Sequence, residues 1–152
     1  MATDPDTLSD VAKLRNLLAN AEKQGISELA FRCRARIAEV RSQPYSEGIE
    51  REFWNAIFIA EEIASQKNGK PTRLSRTRDK VKRVGVLRTV MDLAENAKTS
   101  PGFRLLIDAR RPDLTAEAIV LRNRSDFSDD QIRASEIKLA NAGVSPIQLR
   151  NG

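Results

Sequence analysis

EREFWNAIFIAEEIASQ, residues 50–66, decides the fold class. At 3.6 residues per turn, Phe53, Ile57, Ala60 and Ala64 fall in one row. Trp54 and Phe58 widen that row, and Ile59 and Ile63 carry apolar surface further round. A helix this apolar on several faces has to be surrounded by other elements. The stretch therefore predicts the central helix of an all-α body. Asn68–Gly69 ends it, and Pro71 prevents its resumption.

Upstream, Leu8, Val11, Leu14, Leu18 and Ala21 recur at three- and four-residue steps, with Gly25 as the stop. Leu29, Cys33, Ile37 and Val40 form a second stripe of the same kind. The link at Lys23–Ile26 is short, so residues 1–43 predict an antiparallel helical hairpin. Gln43–Pro44 ends its second helix, and 45–48 reads as a connector.

Downstream, Val86, Leu87, Val90, Leu93 and Ala94 predict another helix. Ser100 followed by Pro101 has the form of an N-cap and first helical residue. Phe103, Leu106 and Ile107 supply that helix with a buried face, and it ends before Pro112. Thr115 caps a short helix with Ala118, Ile119 and Leu121, although the run AIVL at 118–121 also has the length of a strand. Ser128 and Gln131 have the spacing of a capping box. Ile132, Ile137, Leu139 and Ala140 follow, and Gly143 closes the element. The expected architecture is a multi-helix orthogonal bundle of six to eight helices. It comprises the hairpin 1–43, a helical body 44–143 and a flexible tail 144–152.

The chain has 152 residues, of which 40% are hydrophobic, enough for a real core. It contains no histidine, which removes Ser–His–Asp and Cys–His catalysis and most zinc sites. Its one cysteine forms no internal disulfide and suits a reducing, cytoplasmic setting; placed between Leu29 and Ile37, it reads as a small buried thiol. The opening MATDPDTLSD lacks the basic and apolar regions of a secretory signal. No apolar run approaches the roughly 18–20 residues of a membrane span. No cofactor is expected, since NGKPT at 68–72 lacks the spacing of a phosphate-binding loop.

Charge is distributed unevenly. Residues 67–88, KNGKPTRLSRTRDKVKRVGVLR, hold nine basic groups and one acid. That is a net +8 inside a chain whose total is +5, so the remainder is net acidic. A local excess of this kind is the footprint of an element that binds polyanions. Ser75 is the expected N-cap of a basic helix from Arg76 to Val84, with Gly85 at its end. Val81 and Val84, with Thr77, face the core, while Arg76, Lys80 and Arg83 share another face. A long helix, a glycine-containing turn and a short basic helix resemble the outline of a helix-turn-helix. In such a unit Ile59, Ala60 and Ile63 would pack on Val81 and Val84. The connection from Gln66 to Ser75 is longer than the usual turn of that motif.

Roles within the segment follow from side-chain chemistry. Lys67, Lys70, Lys80 and Lys82 suit phosphates as point charges. Arg73, Arg76 and Arg83 suit guanine edges, which guanidinium pairs bidentately. Thr72, Ser75 and Thr77 are hydroxyl donors to phosphate, and Arg88 closes the patch. The segment has no aromatic residue, which favours duplex DNA over a base-stacking single-strand site; RNA stays open. The leading expectation is thus a non-enzymatic DNA-binding protein.

Three other readings compete. In the first, the cations simply neutralise the preceding acidic stretch, with Glu61 and Glu62 pairing across the bend. In the second, the segment and the hairpin together form an adaptor for a protein partner, or the hairpin receives a second copy of itself. In the third, a metal-dependent nuclease is the reading. Asp113, Glu136 and Lys138 have the composition of a metal-dependent nuclease site. Residues two apart on a helix point in nearly opposite directions, which counts against that last reading. Arg32 and Arg36 form a minor basic pair on the hairpin.

Overall fold

The computed structural model of the chain describes residues 3–43 and 48–145. Pro44, most of the connector expected at 45–48 and most of the tail, from 146 on, lie outside the described residues. Within them, every regular element is helical. The seven α-helices are α1 (Val11–Lys23), α2 (Ser27–Ser42), α3 (Ile49–Asn68), α4 (Ser75–Glu95), α5 (Pro101–Asp108), α6 (Ala116–Arg122) and α7 (Asp129–Asn141).

The hairpin forms as its stripes require. Asp10 starts α1 by accepting the amides of Ala12 at 2.9 Å and Lys13 at 3.4 Å. Gly25, at φ 72°, reverses the chain so that α2 folds back along α1. Leu14, Leu18, Ala21, Ala30, Cys33 and Ile37 make a private core between the two helices. Burial pushes the Cys33 thiol pKa up, as expected for an inert side chain. Arg32 and Arg36 are both engaged within the hairpin. Arg32 pairs with Asp4 at 2.6 Å, and Arg36 donates to the Leu8 carbonyl at 2.8 Å.

α3 holds the body together from the centre. Phe58, Ile59 and Ala60 meet Ala38 of α2 and Leu106 and Leu114 from the α5 region. Phe53 and Ile57 meet Val90 and Ala94 of α4, and Ile119 and Val120 of α6. Gly69 caps α3 in the left-handed conformation at φ 70°.

α4 is two helical segments joined at Gly85, whose φ of 86° and ψ of 170° are non-helical. That region of backbone space is open essentially to glycine alone. The Thr89 hydroxyl donates to the Gly85 carbonyl at 2.7 Å and secures the break. The half after Gly85 buries Val90 and Ala94, and α4 as a whole packs more on α6 and α7 than on α3.

The N-caps of α5, α6 and α7 match their sequence signatures. Ser100 accepts the Phe103 amide at 3.1 Å. Thr115 accepts the Ala118 amide at 3.1 Å, which makes 118–121 helical rather than extended. Ser128 and Gln131 form a reciprocal capping box. α7 is then anchored by Lys138, whose ammonium donates to Glu117 of α6 at 2.5 Å and to the Leu93 carbonyl of α4 at 2.6 Å. Both side chains of that ion pair are buried.

Two local expectations require correction. Ser75 is not the N-cap: Leu74 holds that position, Ser75 is the first helical residue, and no side-chain oxygen within the segment caps the helix. The reason is long-range, because Glu61 on α3 takes the Leu74 amide at 2.9 Å. Val84 does not face the core. It is 43% exposed, since the break at Gly85 turns the chain before Val84 can reach α3, whereas Val81 packs against the cluster around Phe53 and Ile57.

Candidate nucleic-acid interface

The basic segment divides into cations consumed by the fold and cations left outside it. Arg78 belongs to the first group. Its guanidinium meets the Glu61 carboxylate fork to fork, with both contacts at 2.6 Å. It also lies over the rings of Trp54 and Phe58, at 5.5 and 5.7 Å from their centroids. The pair is largely enclosed, with 23% of the Arg78 side chain exposed and 6% of Glu61. Such bidentate pairing is the strongest arrangement open to an arginine and a carboxylate.

Asp92, on the second half of α4, engages two more. Lys80 reaches it at 2.7 Å and Arg88 at 2.6 Å, so the pair bridges the Gly85 break. Arg88 also approaches Glu95 at 3.5 Å. The hydrogen bond from Arg88, followed by that from Lys80, holds the Asp92 carboxyl below the usual aspartate range. The hydrogen bond to Asp92 and the charges of Asp92 and Glu95 in turn raise the Arg88 guanidinium.

Six cations remain. Lys67, Lys70, Arg73, Arg76, Lys82 and Arg83 are all exposed, and none forms an ion pair among the described residues. They run from the last turn of α3, through the loop 69–74, to the first half of α4. Lys70 and Arg73 also line a groove shared with Arg15 and Arg41 of the hairpin. Those two arginines are already committed, at 2.8 and 3.7 Å from Glu62. Glu61 and Glu62 thus do accept arginines, but only Glu61 accepts one from the basic segment.

The hydroxyls fare differently from one another. Thr72 donates its hydroxyl to the Lys70 carbonyl at 3.0 Å, and its amide to Ser65 at 2.8 Å. These bonds shape the loop rather than project from it. Ser75 is exposed at the start of α4, while Thr77 is half-buried on the inward side.

Helical geometry fixes where the first half of α4 points. Leu74, Thr77 and Val81 are partly buried and define the inward direction. At about 100° per residue, the direction opposite to them is occupied by Asp79. Arg76 and Arg83 lie about 40–60° to one side of Asp79, and Lys82 and Ser75 about 40–60° to the other. The lone acid of the segment is therefore the crest of the presented face. It is exposed and forms no ion pair among the described residues.

The residues considered for metal-dependent hydrolysis are not brought together. Asp113 is held by Arg111 at 2.9 Å, Glu136 lies 3.9 Å from Arg124, and Lys138 is buried against Glu117. Among the described residues, no group of three or more acidic or thiol side chains is arranged to hold a metal ion. No described helix is long and apolar enough to cross a membrane.

Sequence reasoning passed over Arg78 and Asp92 as determinants of the patch. The signal for Arg78 lay in Glu61, an acid within the apolar stretch of α3 that needs a cation once buried. Comparison with protein-family models, with curated proteins and with solved structures finds no match to this chain.

Proposed function

We propose that this protein binds nucleic acid, duplex DNA in preference to RNA, through Lys67, Lys70, Arg73, Arg76, Lys82 and Arg83. The observation that carries the reading is the set of six exposed cations, without ion pairs among the described residues, on a continuous stretch of chain. Its neighbours Arg78, Lys80 and Arg88 are matched by the protein's own carboxylates. Leaving like charges unmatched costs a few tenths of a kcal/mol per close pair, and a phosphate backbone offsets that cost by releasing its counterions. The absence of aromatic residues from 67–88 favours a duplex over an unstacked single strand. Lys80 and Arg88 join the interface only if they leave Asp92.

Anisotropy titration of a labelled duplex across salt tests the proposal. Six phosphate contacts give a log–log slope of roughly −5. A slope near zero, or unchanged binding after combined Arg76→Ala, Lys82→Ala and Arg83→Ala, rejects it.

A second reading, docking on an acidic protein surface, is favoured by Val84 and Leu87. They flank Gly85 beside the cations and are 43% and 45% exposed. Under the first reading, protein purified at low salt carries nucleic acid and shows a raised 260/280 absorbance ratio. Under the second it does not.

A further inference from the structure

We infer that Asp79 determines base preference, accepting a hydrogen bond from the exocyclic amino group of cytosine in the major groove. The inference rests on the duplex-binding reading above and names what the presented face selects. Asp79 stands diametrically opposite the inward positions Leu74, Thr77 and Val81, so on the first half of α4 it points most directly away from the body. A helix that enters a groove with this face leading puts Asp79 at the groove floor. Arg76 and Arg83 on one side and Lys82 on the other then face the groove walls, where the phosphates run.

A carboxylate in that position is an electrostatic penalty unless it meets a donor. Phosphates offer none. On the major-groove floor the donors are the amino groups of cytosine and adenine, and acidic side chains pair with the cytosine amino group. Arg76 and Arg83 are within one turn of Asp79 and form no ion pair with it, so the carboxylate is free to accept from outside. An acid at the crest also penalises any site that presents only acceptors there, which turns a cost in affinity into discrimination.

The test selects bound sequences from a randomised duplex pool with the wild-type protein, Asp79→Ala and Asp79→Asn. Affinities are then measured on the recovered sites and on random duplex. Asp79 is exposed and outside the core, so both variants keep the wild-type helical circular dichroism. The expected result is a cytosine favoured roughly 5-fold or more at one position by wild type. Asp79→Ala abolishes that preference while binding random duplex more tightly. Two results overturn the inference alone: an identical recovered preference in all three proteins, or a uniform affinity gain on every duplex tested. If wild type binds no duplex in a salt-dependent way, the underlying reading falls and this inference with it.

Discussion

Glu61 of α3 and Arg78 of α4 meet through two parallel contacts of 2.6 Å, and the same carboxylate takes the Leu74 amide at 2.9 Å. One side chain thereby fixes both the start and the rotation of the basic helix. The face that α4 presents follows from this contact as much as from its own sequence.

Removing that carboxylate breaks a largely enclosed ion pair. Glu61→Ala is expected to lower stability by roughly 3–5 kcal/mol, read as a shift of the denaturant midpoint. Arg78→Lys is expected to recover only part of the wild-type stability, because an ammonium cannot reproduce the paired geometry. A lysine variant as stable as wild type would show that the fork is unimportant.

Asp92 restrains two cations that would otherwise extend the patch. Asp92→Asn is expected to release Lys80 and Arg88. The salt slope of duplex binding then steepens by up to about 2, at roughly 0.9 per added phosphate contact. An unchanged slope would mean that both side chains remain outside the interface even when freed.

The depressed pKa of Asp92 also carries a sign. A carboxyl that ionises more readily folded than unfolded stabilises the protein above its unfolded value, near about 3.9. That contribution is lost as pH falls through the lower folded value. The gap in melting temperature between wild type and Asp92→Asn is therefore expected to be constant above about pH 5 and to close on further acidification. Parallel curves over the whole range would contradict the assignment.

Gly85 sits at φ 86° and ψ 170°, with nothing within 4 Å of where a side chain would begin. Space is available, yet the backbone conformation is not. Gly85→Ala is expected to cost about 1–3 kcal/mol, measured by thermal or denaturant unfolding. A neutral effect would imply that the two halves of α4 readily merge into one continuous helix.

Lys138 and Glu117 form a buried pair that ties α7 to α6 and, through the Leu93 carbonyl, to α4. Lys138→Ala strands the carboxylate and is expected to lose roughly 3–5 kcal/mol. The double change Lys138→Met with Glu117→Leu is expected to recover most of that loss, since apolar residues of similar volume often replace such pairs without penalty.

What was legible in the sequence is what depends on near neighbours. The caps at Ser100, Thr115 and Ser128 bond to amides three residues on, and each stands where its spacing placed it. The hairpin stripes and the centrality of α3 follow from periodicity alone. Pairing across the bend to Glu61 was among the readings, but the start of α4, the identity of the cation that Glu61 takes and the role of Asp92 were not legible. Those acids lie 17 residues from Arg78 and 12 from Lys80 along the chain. A carboxylate on a buried helix face signals that some cation must come to it, without naming which. Val84 was misread for a related reason. Its spacing from Val81 is right for one face, but the glycine that follows ends the helix before that face completes a contact.

The break at Gly85 separates two kinds of tolerance. After it, Val90 and Ala94 are wedged among α6 and α7, where almost any change is felt. Before it, Ser75, Arg76, Asp79, Lys82 and Arg83 all stand in solvent. Substitutions at those five positions are therefore expected to change the charge that the first half of α4 presents while leaving the packing beneath it intact.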